Sequence, residues 1–202
     1  ADRNPIVFRP EQQDAIEKTK KQFKKGNKML WFAKMRFGKT LSALQVVKDL
    51  DLKRTLILTH RPVVDEGWFE DFGKIFYDKP NFSYGSKKQG ETIQTLETQQ
   101  KKTKSKYIYF ASIQDLRGSS HVGGNFNKND TIFNTQWELI IIDEAHEGTQ
   151  TDLGKNVIRE LEKHSTKVLH LSGTPFNLLS NYKDDEIFTR SEERRVGKEC
   201  RS

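Results

Sequence analysis

The chain has a single cysteine, Cys200, in 202 residues. A lone thiol excludes a disulfide framework and any cysteine-based zinc site. None of the five histidines forms a His-x-x-x-His pair, which speaks against the other common zinc arrangement. Long apolar runs are missing: nothing approaches the ~20 consecutive apolar residues that a membrane-spanning helix needs, and the first residues carry no signal-peptide pattern. These absences point to a soluble cytoplasmic protein.

What is present fits one sizeable α/β domain with its own core, the chain being too short for two comfortable ones. Hydrophobic residues make up 34% and charged residues 31%. The formal net charge of +7 favours an anionic partner such as nucleic acid, because Lys and Arg that neutralise phosphates release condensed counterions. From Arg190 onward the sequence RSEERRVGKECRS has no apolar periodicity and reads like a translated DNA-sequencing adapter. Residues 190–202 are therefore taken as foreign, a genuine charged tail being the other reading. They contribute +2 and leave +5 for residues 1–189, so the basic bias survives in weaker form. On this reading one domain occupies 1–189 and is cut near Thr189.

Short apolar runs alternate with helical patterns, as in βα units on a mostly parallel sheet with helices on both faces. Strands are expected at Met29–Phe32, Thr55–Thr59, Tyr107–Ala111, Leu139–Asp143 and Val168–Ser172. These runs are continuous rather than alternating, which suits strands covered on both sides. Helices are expected over 10–25, where Gln12, Ala15, Ile16 and Phe23 share a face, and over Thr40–Leu50, Pro62–Phe76 and Thr151–Lys163. Residues 85–106, rich in Lys, Gln and Thr, read as an exposed helix and loop, and 117–130 as a long surface loop.

Three segments carry chemistry. The first, AKMRFGKT (Ala33–Thr40), follows an apolar strand and opens a helix. In that setting backbone N–H groups and the helix N-terminus cradle phosphates, Lys39 reaches the β- and γ-phosphates, and the Thr40 hydroxyl coordinates magnesium. Arg36, Phe37 and Gly38 complete the nucleotide-binding set. The pattern G-x-x-x-x-G-K-[ST] has Ala33 where glycine is usual, and Arg36 either adds a cation near the triphosphate or points to solvent. The second, LIIIDEAH (Leu139–His146), is an apolar strand ending in two carboxylates. Asp143 at the tip is placed to hold magnesium, and Glu144 to act as general base or to position water. Such a pair alone is usually solvated; together with the phosphate loop it reads as catalytic. The third, LSGTPF (Leu171–Phe176), ends another apolar strand and offers the Ser172 and Thr174 hydroxyls beside a flexible Gly173.

AKMRFGKT, IIIDEAH and LSGTP, in this order, resemble motifs I, II and III of superfamily 2 DEAH-box helicases, above all the type I and type III restriction-enzyme and UvrB-type ATPases. The resemblance covers nearly all of residues 6–180. It implies a RecA-like P-loop domain, an ATP- and Mg2+-dependent helicase or translocase, and a nucleic-acid partner, with DNA favoured. FRPEQQDAI (Phe8–Ile16) resembles the family's entry segment, which implies adenine recognition by Gln12 and Arg9. LILTHRPVV (Leu56–Val64) resembles motif Ia and implies that Thr59, His60 and Arg61 lie along the nucleic-acid backbone; YIYFASIQDL (Tyr107–Leu116) adds Ser112 and Gln114. His146, Ser172 and Thr174 are implied to couple the nucleotide site to the rest of the motor.

The resemblance further implies a second RecA-like domain that closes on ATP and supplies an arginine finger, and in the intact protein nuclease or specificity subunits. A chain cut near Thr189 is expected to bind ATP weakly, hydrolyse it slowly and not translocate. A competing reading is a nucleic-acid-binding module with a degenerate nucleotide site, suggested by Ala33 and Arg36; a P-loop kinase or transporter-type ATPase is a third. Trp31, Trp68 and Trp137 read as core or interface packing, and His121, His164 and His170 as structural or exposed.

Overall fold

The computed structural model describes residues 5–32, 37–60, 62–124, 129–143, 152–173 and 181–189. Arg36, Arg61, Glu144, His146, Thr174 and the segment 190–202 lie outside the described residues. The strands are β1 (Lys28–Phe32), β2 (Arg54–Thr59), β3 (Phe82–Gly85), β4 (Lys106–Ser112), β5 (Leu139–Asp143), β6 (Lys167–Ser172) and β7 (Ile187–Thr189). The helices are α1 (Pro10–Gln22), α2 (Lys39–Leu50), α3 (Asp65–Ile75), α4 (Ile93–Thr103), α5 (Ile113–Leu116), α6 (Asp130–Asn134) and α7 (Asp152–Leu161).

All strand pairs among the described residues are parallel, in the order β3-β4-β2-β5-β6-β1-β7. Parallel neighbours require crossovers, and the helices that supply them bury both sheet faces. Side chains of successive strand residues point to opposite faces. Met29, Trp31, Ile57, Ile141 and Leu169 accordingly pack under α1, α2 and α3, while Leu30, Leu56, Ile140, Ile142 and Val168 pack under α4 to α7. Each fully buried Ile or Leu contributes roughly 1.5–3 kcal/mol relative to exposure, which makes the central strands the most strongly specified part of the chain.

The five expected strands are present, each extended by no more than a residue at either end. Two strands were not expected. Strand β3 is four residues in a polar stretch, seated on β4 with Phe82 and Tyr84 buried; β7 is three residues, seated on β1 from Leu30↔Ile187 to Phe32↔Thr189. Both are edge strands whose pairing comes from a neighbour and not from an apolar run of their own. In 85–106 the expected helix is α4, capped by the Thr92 hydroxyl on the Thr95 N–H.

Since every strand is parallel, their C-terminal ends share one edge. The register aligns Thr59 with Ser112, Asp143 with Leu171, and Ser172 with Phe32. Across that edge the tips therefore run Ser112, Thr59, Asp143, Ser172, Phe32, with Phe37–Thr40 following the last. In open α/β sheets this is the edge where ligands bind.

Candidate nucleotide site and its neighbours

Gly38 opens α2 in the left-handed conformation, φ 79° and ψ 44°. A side chain there would meet Gln12, whose Nε2 lies 2.3 Å from the place a Cβ would take. The preceding carbonyl, Phe37 O, accepts two hydrogen bonds from the start of α1: Gln12 Nε2 donates at 2.6 Å and the Arg9 guanidinium at 2.8 Å. Gln12 Oε1 in turn accepts the Arg9 backbone N–H at 2.8 Å. In a trans peptide the C=O and the next N–H point opposite ways. Pinning Phe37 O onto α1 therefore turns the Gly38 N–H away from α1. Arg9 and Gln12, expected at adenine, are thus placed where they orient the peptide that leads into α2. Phe37 itself is buried against Trp31 and Phe188.

Lys39 and Thr40 occupy the first turn of α2, whose leading N–H groups have no intrahelical acceptor. Lys39 is buried. The Ser42 hydroxyl and N–H both donate to Gly38 O, at 2.9 and 3.1 Å, tightening that turn. The Thr40 hydroxyl donates to Asp71 Oδ2 on α3. Asp143, also buried, accepts from Trp68 Nε1 on the same helix at 3.2 Å. Ser172 is fully buried at the tip of β6. Among the described residues, the structure thus gathers Arg9, Gln12, Phe37, Gly38, Lys39, Thr40, Asp143 and Ser172 along the tips of β5, β6 and β1.

The expected nucleic-acid residues sit on the adjoining tips of β2 and β4. The Gln114 N–H donates to His60 O at 3.2 Å, joining the two loops that leave these strands. Gln114 is exposed, His60 half-buried, and Thr59 buried. Ser112 is also buried, its hydroxyl accepting the Asp115 N–H at 3.0 Å as the cap of α5. Beyond His60 the chain turns through the exposed Val63 and Val64 into α3. There the buried Asp65 accepts from the Tyr84 hydroxyl at 2.6 Å and from the Ser86 hydroxyl, which ties α3 to the end of β3. Burial, followed by the Asp65 carboxylate, pushes the Tyr84 phenol far up, so it stays a donor.

Sequence reasoning missed Trp68 and Asp71. An indole and a carboxylate three residues apart on an amphipathic helix look like one core and one surface position. Only the packing of α3 against α2 and β5 brings Asp71 to Thr40 and Trp68 to Asp143.

A family model described as "Type III restriction enzyme, res subunit" matches residues 5–177. The chain belongs to this family. The res-subunit assignment is accompanied by 25% identity over 176 residues to a Mycoplasma pneumoniae protein described as the C-terminus of a type II restriction enzyme and methyltransferase, covering 82% of this chain and 23% of that protein. The chain thus spans about a quarter of the curated relative it matches. Among solved structures, the SWI2/SNF2 ATPase core of Sulfolobus solfataricus in complex with double-stranded DNA superposes with a TM-score of 0.65 at 21% identity, over 90% of this chain and 35% of that one. A nuclease-deletion mutant of the type ISP restriction-modification enzyme LlaGI, in complex with a DNA substrate mimic, gives 0.65 at 16% identity, over 96% and 21%. At these identities the likeness shows the fold alone: an α/β, RecA-like domain.

Proposed function

We propose that this res-subunit family member is the ATP-binding half of an ATP-dependent nucleic-acid helicase or translocase, with DNA as its track, serving as the motor part of a restriction-modification enzyme. One observation carries the reading. A single sheet edge holds a nucleotide-type cluster on β5, β6 and β1, directly beside the His60 and Gln114 loops on β2 and β4. A degenerate binding module has no need for a glycine held left-handed over a buried Lys39 and a half-buried Thr40, at the same sheet edge as a buried Asp143.

The groups suit a magnesium nucleotide. The first N–H groups of α2 and the Lys39 ammonium favour anions, and the Thr40 hydroxyl and Asp143 carboxylate are the hard oxygen donors that magnesium takes. Magnesium, when bound, neutralises charge on the phosphate oxygens. Lys39 would hold the β- and γ-phosphates, with Phe37, Gly38 and Arg36 around them. Glu144 would orient water, and Arg9 and Gln12 would set the loop while standing near the base. Thr59, His60, Arg61, Ser112 and Gln114 would line the nucleic-acid path, and His146, Ser172 and Thr174 would relay between the two. In the intact cytoplasmic protein a second RecA-like domain completes the site, alongside nuclease or specificity subunits. Residues 190–202 are a foreign extension of this domain.

The test is Lys39→Ala in the longer parent protein: nucleic-acid-stimulated ATP turnover should disappear, and unchanged turnover sinks the reading. For the 202-residue chain a fluorescent ATP analogue should show weak, magnesium-dependent binding. Tight binding with brisk turnover contradicts the half-site.

A further inference from the structure

Asp65, Trp68 and Asp71 stand at three-residue spacing on one side of α3, and each hydrogen-bonds to a group outside the helix. For Trp68 and Asp71 those groups are Asp143 and Thr40. These are the two side chains assigned above to magnesium, one from β5 and one from α2. The chain's three tryptophans are all buried, yet Trp31 donates to the Thr19 hydroxyl at 2.7 Å and Trp137 to Ile132 O at 2.9 Å, both within the packing. Trp68 alone among them aims its N–H at a carboxylate of the site.

We propose that Asp71 and Trp68 are positioning residues for the metal side of the nucleotide site, presenting Thr40 and Asp143 together to a divalent cation. The inference rests on the nucleotide-binding reading. A hydroxyl carries one proton and two lone pairs. When Thr40 ligates a cation through a lone pair, its proton needs an acceptor outside the coordination shell, and Asp71 Oδ2 is that acceptor. The other Asp71 oxygen faces Lys74 Nζ at 3.8 Å. Asp71 therefore keeps a cationic neighbour of its own while it orients Thr40. On the opposite side, the Trp68 N–H donates to Oδ2 of Asp143 and so fixes how that carboxylate is turned at the strand tip. The indole N–H bears no charge and cannot replace a metal. Both contacts spring from one helix, which begins directly after the His60 loop. A displacement of α3 would then move both metal-side oxygens at once.

Binding of a fluorescent ATP analogue to the 202-residue chain, followed as magnesium is titrated, tests this. Direct manganese binding, read by water-proton relaxation, accompanies it, and thermal melts check the fold. Asp71→Ala should raise the magnesium concentration at half-maximal binding about 10-fold or more, the scale on which outer-shell partners tune metal affinity. Nucleotide binding in EDTA should not change. Asp71→Asn retains an accepting oxygen and should recover most of the loss. Trp68→Phe keeps the buried ring, deletes the N–H, and should shift the midpoint in the same direction by less. An unchanged magnesium midpoint in Asp71→Ala, with a wild-type melt, overturns the proposal. A lowered midpoint also overturns it, because Asp71 then competes with the cation for Thr40; so does Asp71→Asn behaving like Asp71→Ala. Should the wild-type chain show no magnesium-dependent binding whatever, the nucleotide reading itself fails, a result distinct from wild type and variant titrating alike.

Discussion

Gly38→Ala is the sharpest probe of how the loop end is held. Its conformation, φ 79° and ψ 44°, costs an L-residue roughly 1–2 kcal/mol. The new methyl would also stand 2.3 Å from Gln12 Nε2, so the amide must swing off Phe37 O and forfeit a 2.6 Å hydrogen bond in a buried setting. That loss adds about 1 kcal/mol. The reduced freedom of the unfolded chain returns about 0.4–1 kcal/mol, leaving a net destabilisation of about 2 kcal/mol. The matched control is Gly67→Ala. Gly67 lies in α3 with nothing within 4 Å of a built Cβ, so the same substitution should stabilise by about 0.5–1 kcal/mol. Urea melts of both variants give the difference, and nucleotide-analogue binding should weaken for Gly38→Ala only. Melting of Gly38→Ala within about 0.5 kcal/mol of wild type, or an equal loss from Gly67→Ala, would refute the reasoning.

Two further perturbations address the interior. Thr19→Val preserves shape but removes the acceptor of the fully buried Trp31 N–H, and should cost about 1–3 kcal/mol in a denaturant melt; a wild-type melt would show that the indole finds another partner. Burial, with Lys28 adding in the same direction, holds the His170 imidazole down at about 4. An unfolded histidine titrates near 6.5, so between pH 6.5 and 4 the unfolded chain binds more protons and stability should fall as pH falls. His170→Phe keeps an aromatic ring against Tyr182, 5.6 Å away, and should flatten that slope. Glu162, whose carboxyl is raised by burial, and Lys28 are common to both chains and largely cancel in the comparison. Superimposable stability–pH curves for the two chains would dismiss the idea.

How legible this molecule was depended on where the determining interaction lay. Strands β1, β2, β4, β5 and β6 are covered on both faces, so their burial demands the unbroken apolar runs by which they were found. Strands β3 and β7 owe their existence to the open edges of β4 and β1, a tertiary cause that four residues around Tyr84 or three around Phe188 cannot announce. The site divided the same way. Gly38, Lys39, Thr40 and Asp143 stood out because a loop and a strand tip place them through local geometry. Ser112 came into view only through the family resemblance, as a nucleic-acid contact, and not as a cap whose oxygen is taken up locally by the Asp115 N–H. Gln12 was legible as part of the inward face of α1 and, through the family resemblance, as an adenine contact, but its attachment to Phe37 depends on how α1 leans on the loop.

Strand β2 lies between β4 and β5, paired over Arg54–Thr59 on one side and Thr55–Leu58 on the other. Its tip carries Thr59 and leads to the His60 loop. Tension applied there along the strand axis would load two ladders in shear, so their hydrogen bonds would have to yield together instead of peeling singly. A neighbouring strand tip, Asp143's, stands one strand spacing away, about 4.8 Å. Strain entering at the Thr59 tip would therefore pass to the Asp143 carboxylate with little slack.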